Sequence, residues 1–230
     1  MRGPDRVKEL VGAAQDARQP NSYARTFDSF VAASMVAREI LAVYEQDLAI
    51  LDDDAWRAMK AAAAKRLVRN KAKGWEPLFD LLNEAKAYGY LRALGCANIQ
   101  MIPPSYDRKT PDLKAEIDGG LLLCEVKTIN MSDDERTVRD AGPVSLSEEF
   151  MRGKLTWTLR AAKAQLDAFS STAARKLIYL VFNPDESLHG YADDYSLQLH
   201  AFLTASPLED IDVEIAQFLP ILERIGPNPA

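Results

Sequence analysis

Over most of this chain apolar residues return at helical spacing, and only a few short stretches alternate or run together as strands do. Asp5 to Arg18 predicts a short helix ended by Gln19-Pro20-Asn21. Ser22 is placed to cap a second, long helix reaching Ile50. Asp52-Asp53-Asp54 interrupts the pattern and opens a new helix, with acids in the turn where they complement its dipole. Lys73-Gly74 ends that helix, and Trp75 to Leu94 predicts another, stopped by Gly95. Asn98 to Pro103 predicts a first strand. Asp112 to Ile117 alternates, Asp118-Gly119-Gly120 is a turn of the Asp-Gly type, and Leu121 to Thr128 is a strand rich in apolar residues. Together they predict a β-hairpin. After the charged stretch Ile129 to Gly142, Ser145 and Glu148 have capping-box spacing. Leu155, Leu159, Ala162, Leu166 and Phe169 then form one face of a helix ending at Ser170. Lys176 to Phe182 predicts a buried strand, Asp193 to Leu203 a helix, and Asp212 to Leu219 an edge strand.

The hairpin groups its charged residues. With Asp118-Gly119 as the loop, Asp112 lies opposite Glu125, and opposed residues share a face. Glu125 and Lys127 share that face because side chains alternate along a strand. Leu113, Ala115, Ile117, Leu122, Cys124 and Val126 take the other face, which is wholly apolar. Moving the loop to Gly119-Gly120 sets Asp112 opposite Lys127 and keeps the grouping; a three-residue loop breaks it. Two adjacent carboxylates near an apolar strand repel, and one is driven to protonate. A divalent cation removes that cost. Oxygen donors without histidine or thiolate favour Mg²⁺ or Mn²⁺. The lysine can hold or deprotonate a water beside them. All of this fails if Glu125 is turned into the hydrophobic interior.

Three further positions each have two readings. Glu84 shares a stripe with Leu81, Tyr88 and Leu91. It is either a buried acid with a partner or an edge residue whose head reaches water. The segment Ala55 to Lys73 carries Arg57, Lys60, Lys65, Arg66, Arg69, Lys71 and Lys73 and no acid. It is either a solvated face or a phosphate-contacting one. Lys163 and Gln165 flank the core face of the later helix, and Arg136 and Arg139 sit in the charged loop. Each is a candidate polar contact or an ordinary surface residue.

Pro111-Asp112, followed by Glu125-Val126-Lys127, resembles the PD-(D/E)XK motif of the restriction-endonuclease-like nucleases. The order α-β-β-β-α-β from Trp75 to Phe182 is similar to the αβββαβ core of that family. The resemblance implies an α/β fold with a central mixed sheet flanked by helices; the helical N-terminal extension, read from the residue pattern, lies outside it. Residues 1–74 would be the helical region and residues 75–230 the nuclease-like domain. It implies Asp112 and Glu125 as ligands of Mg²⁺ or Mn²⁺, with the main-chain carbonyl of Val126 and the helical Glu84 completing the set. Lys127 would assist the attacking water. Gln165, better placed than Lys163, would be the extra polar residue on the following helix. The implied activity is that of a Mg²⁺-dependent endonuclease acting on nucleic acid, on DNA in preference to RNA. The alternative is a non-catalytic nucleic-acid-binding or assembly module keeping the fold, with the N-terminal helices meeting a second copy or a partner protein. A purely structural salt-bridge cluster is a third reading, disfavoured because buried pairs rarely repay their desolvation.

Composition narrows this little. The chain has 230 residues, 47% hydrophobic and 27% charged, enough for one α/β domain with a helical addition. Two cysteines without paired spacing argue against a disulfide framework or a cysteine zinc site. Two histidines, His189 and His200, make a histidine-dependent triad a poor fit. No apolar run is long enough to cross a membrane, and Met1 to Arg6 opens no signal peptide, so a cytoplasmic protein is expected. Net charge is −6, but residues 183–230 hold nine acids against one base. That tail carries −8 and leaves the first 182 residues near +2. The acidity that weighs against a nucleic-acid partner is confined to the tail.

Overall fold

The structure is a computed structural model that describes residues 5–16, 24–33, 35–67, 76–103, 105, 109–129, 148–169, 174–182, 192–205, 208 and 210–216. Its helices are α1 (Asp5–Asp16), α2 (Ala24–Ala33), α3 (Met35–Ile50), α4 (Asp53–Arg66), α5 (Glu76–Ala93), α6 (Glu148–Phe169) and α7 (Ala192–Ala205). Its strands are β1 (Ala97–Met101), β2 (Leu113–Ile117), β3 (Gly120–Ile129), β4 (Ala174–Phe182) and β5 (Asp212–Ala216). The result is an α/β protein with a five-stranded mixed sheet in the order β1-β2-β3-β4-β5. Strand β1 is antiparallel to β2, whereas β3 and β4, and β4 and β5, run parallel. From α5 to β4 the elements follow the succession α-β-β-β-α-β.

Local chemistry sets several element ends. Asp52 caps α4, its side chain accepting from the Ala55 amide at 2.8 Å. Gly95 closes α5 at φ +83°, where a side chain would be strained. Its amide donates to the Arg92 carbonyl and that of Cys96 to the Leu91 carbonyl, each at 3.1 Å. This pair of bonds is a Schellman motif. Asp118 and Gly119 both take positive φ, +53° and +74°, the mark of a two-residue type I′ turn. The loop is therefore the two-residue one of the sequence argument.

By contacts the chain divides into two compact units, Met1–Pro104 with Asp112–Ile117, and Ser105–Pro111 with Asp118–Ala230. The first contains α1 to α5, β1 and β2. Glu45 of α3 accepts from the Arg6 and Val7 amides at 3.1 and 2.7 Å, satisfying donors that open α1. The helix expected from Ser22 to Ile50 is helical throughout its described residues, 24–33 (α2) and 35–50 (α3), residue 34 lying outside them, and both segments pack against α1. At the sheet end of this unit Asn98, at φ +50°, marks a bulge where the β1–β2 register shifts.

The second unit contains β3, β4, β5, α6 and α7. Strand β3 meets β4 in unbroken register from Leu121↔Ala174 to Ile129↔Phe182. Leu123 and Ile129 of β3, Ile178 and Leu180 of β4, and Leu155, Leu159, Ala162 and Leu166 of α6 share one core. The face of β3 that carries Glu125 and Lys127 is therefore covered by α6. Leu122, Cys124 and Val126 on its other face are buried as well.

Several expected features fall outside the described residues: Ser22, Ser145, the boundary at residues 74 and 75, and Arg69, Lys71, Lys73, Arg136 and Arg139. Among the described residues no helix is long and apolar enough to cross a membrane.

Candidate functional site

The second unit holds three of the expected residues in direct contact. Glu125 is 1% exposed, because β3 is a central strand and its Glu125 face lies beneath α6. An ionised carboxylate there needs partners for both oxygens. Lys127, two residues along the same face, pairs with Oε1. Gln165 of α6 donates through Nε2 to Oε2 at 2.8 Å and to the main-chain carbonyl of Thr110 at 2.6 Å. Two acceptors facing one nitrogen fix which end of the amide points inward. Its Oε1 then has no partner among the described residues. The Lys127 side chain is 28% exposed, so its ammonium touches both Glu125 and solvent. Glu125 is thus inside the protein, yet its surroundings are not purely hydrophobic. Lys163 is drawn away from this group and pairs with Asp167 at 2.9 Å, one turn along α6.

The first unit holds a second set. Leu81, Glu84, Tyr88 and Leu91 are all buried, with Glu84 7% exposed, so the stripe on α5 is an inner one. Glu84 is a buried acid with a partner. Arg66, the last residue of α4, donates to its Oε1. Desolvation is the main reason the Glu84 carboxyl is raised from 4.5 to about 8; the negative charge of Asp112 adds to it and Arg66 opposes both. Asp112 also favours the charged form of Arg66. Asp112 is half-buried just before β2, and its main-chain carbonyl accepts from the Ile102 amide at 2.8 Å. Arg66, Glu84 and Asp112 therefore interact electrostatically within this unit.

Sequence reasoning missed two partners. Arg66 was placed in a basic run with no acid assigned to it. A base in the last turn of the helix before Glu84 was the available signal. Thr110 acts through its main chain, which carries no residue-type signal at all. Of the other bases in that run, Arg57 pairs with Asp54, and Lys60 lies over the Trp56 ring at 5.5 Å.

The donor chemistry is that of a hard cation: carboxylate and carbonyl oxygens, with no imidazole or thiolate. Among the described residues, however, no group of three or more His, Cys, Asp or Glu side chains could hold a metal ion. Each buried acid has a basic residue as its partner instead.

No protein-family model, curated protein or solved structure matches this chain. Whatever is inferred about its activity rests on the residues themselves.

Proposed function

We propose that this protein is a divalent-metal-dependent nuclease that hydrolyses phosphodiester bonds, of DNA in preference to RNA, on a restriction-endonuclease-like core. The observation that carries the reading is the group Glu125, Lys127 and Gln165. A strand carboxylate, a lysine two residues on and an amide from the following helix meet in one place. The reading also takes Asp112, Glu84 and the main-chain carbonyl of Val126 as metal ligands, on the sequence resemblance alone. The Glu84 carboxyl, raised to about 8 first by burial and then by Asp112, with Arg66 opposing both, would be driven towards its charged form by a cation placed beside it.

When bound, Mg²⁺ or Mn²⁺ would supply a water of lowered pKa and offset charge on the scissile phosphate. Lys127, reaching solvent while bonded to Glu125, donates to a water or to a phosphate oxygen and stabilises developing negative charge. Gln165 holds Glu125 through Nε2 and presents Oε1 as an acceptor for a water hydrogen. The test is cleavage of plasmid DNA with and without Mg²⁺. Lys127→Ala and Asp112→Asn variants that stay folded by circular dichroism should lose about 100-fold or more in rate. Unchanged cleavage in both removes the mechanism.

A specific observation favours a second reading, a non-catalytic nucleic-acid-binding or assembly module. Glu125 and Glu84 are already matched by Lys127 and Arg66, which satisfies their charge without a cation. Calorimetric titration with Mn²⁺ separates the two. Absence of binding at millimolar Mn²⁺, together with absence of cleavage, selects the module.

A further inference from the structure

Helix α6 has two very different sides. Leu155, Leu159 and Leu166 point into the core, and Trp157 stands opposite them with 73% of its surface exposed. A large aromatic ring held in water on a regular helix contributes little to folding. Its neighbours on the wheel are Gly153 at i−4, Ala161 at i+4 and Ala164 at i+7, all small. Gly153 has open space where a Cβ would stand, so core packing does not require glycine there. Lys154 and Arg160 lie one turn to either side, half-exposed and exposed respectively. From Phe150 to Gln165 the helix carries four bases, Arg152, Lys154, Arg160 and Lys163, and no acid, in a chain whose net charge is −6.

An exposed indole with an arginine one turn away fits a polyanion that also offers flat rings. Stacking on an aromatic side chain requires a base whose face is accessible, which a paired base inside a duplex does not provide. Arg160, exposed one turn away, is placed for a phosphate flanking such a base. A lipid surface would need a broad apolar face, and Gly153, Ala161 and Ala164 do not make one. We infer that Trp157, with Arg160, is a binding platform for an unpaired segment of DNA, stacking one base on the indole and holding an adjoining phosphate. The inference deepens the nuclease reading and rests on it for the choice of DNA. It gives the helix that carries Gln165 a second task, on a different side, roughly 12 Å further along the axis.

The test separates binding from hydrolysis. Fluorescence anisotropy with a labelled single-stranded deoxythymidine oligomer is measured in a chelator, where no metal-dependent cleavage can run. The wild-type protein should bind the single strand, and Trp157→Ala should weaken that binding by about 10- to 100-fold, the range for one stacked base. Trp157→Phe should keep most of the affinity, and Arg160→Gln should lower the salt dependence of binding. Each variant is checked by circular dichroism and urea denaturation. An exposed residue of this kind should leave both unchanged. Equal affinity in wild type and Trp157→Ala overturns the platform, as does a wild-type protein that binds no single strand. Trp157-dependent binding by a protein that cleaves nothing with Mg²⁺ keeps the platform and removes the nuclease reading.

Discussion

Protonation of Glu84 links a single side chain to the stability of its unit. Its ordinary value is 4.5 and its folded value about 8, raised first by burial and then by Asp112. Below pH 4.5 the folded and unfolded chains both hold the proton. Between the two values only the folded chain holds it, so the unfolded state binds fewer protons and stability falls as pH rises. Above about pH 8 the loss from this group is complete. Replacing Glu84 with Gln keeps a neutral, hydrogen-bonding side chain at all pH values. The expected outcome is a shallower decline in unfolding free energy between pH 4.5 and 8 in Glu84→Gln than in the wild type, measured by urea denaturation at constant ionic strength. Equal slopes in the two proteins would show that Glu84 does not titrate in this window. Arg66 works in the opposite sense, since its guanidinium favours the carboxylate form. The pair is therefore a balance between burial and charge.

Helix α4 depends on its capping residue in two ways. Asp52 accepts from the Ala55 amide, and its other oxygen accepts from the Tyr88 hydroxyl of α5 at 2.9 Å. Tyr88 is 4% exposed and Asp52 is exposed, so the bond joins two elements at the edge of the core. Asp52→Ala removes the cap, worth about 1 kcal/mol. It also removes the acceptor of the part-buried Tyr88 bond, a further cost of about 0.5–1.5 kcal/mol. Asp52→Asn keeps a capping oxygen and should lose much less. The midpoint of urea unfolding should fall in that order, and equal midpoints for the two variants would place the contribution outside the cap. Elements of this kind were legible because their signals are local. The Asp-Gly turn, the Gly95 stop, the acidic start of α4 and the apolar run of β4 each sit within a few residues of what they specify. The site was legible by halves. Alternation put Glu125 and Lys127 on one face and the stripe put Glu84 inside. Neither could say that α6 would cover the first or that Arg66 would neutralise the second, since both partners come from distant positions.

At the scale of the whole chain, charge is unevenly shared. The net −8 falls on residues 183–230, many of them outside the described residues, while the bases of α4 and α6 lie before them. The two compact units differ in how their backbones close. The first relies on helix ends and a short antiparallel pair. The second relies on parallel pairing, whose long crossovers slow folding. Each unit also carries one buried, unbridged cysteine, Cys96 in the first and Cys124 in the second. A thiol reagent reaches such a sulfur only when the backbone around it opens, so its alkylation rate reads a local opening free energy. Cys96 sits just past the end of α5 at 9% exposure, whereas Cys124 is fully enclosed on the long β3–β4 ladder. In single-cysteine variants Cys96 should therefore be modified faster than Cys124. Two native sulfur atoms serve in this way as separate clocks for the breathing of the two halves, with no probe added to either.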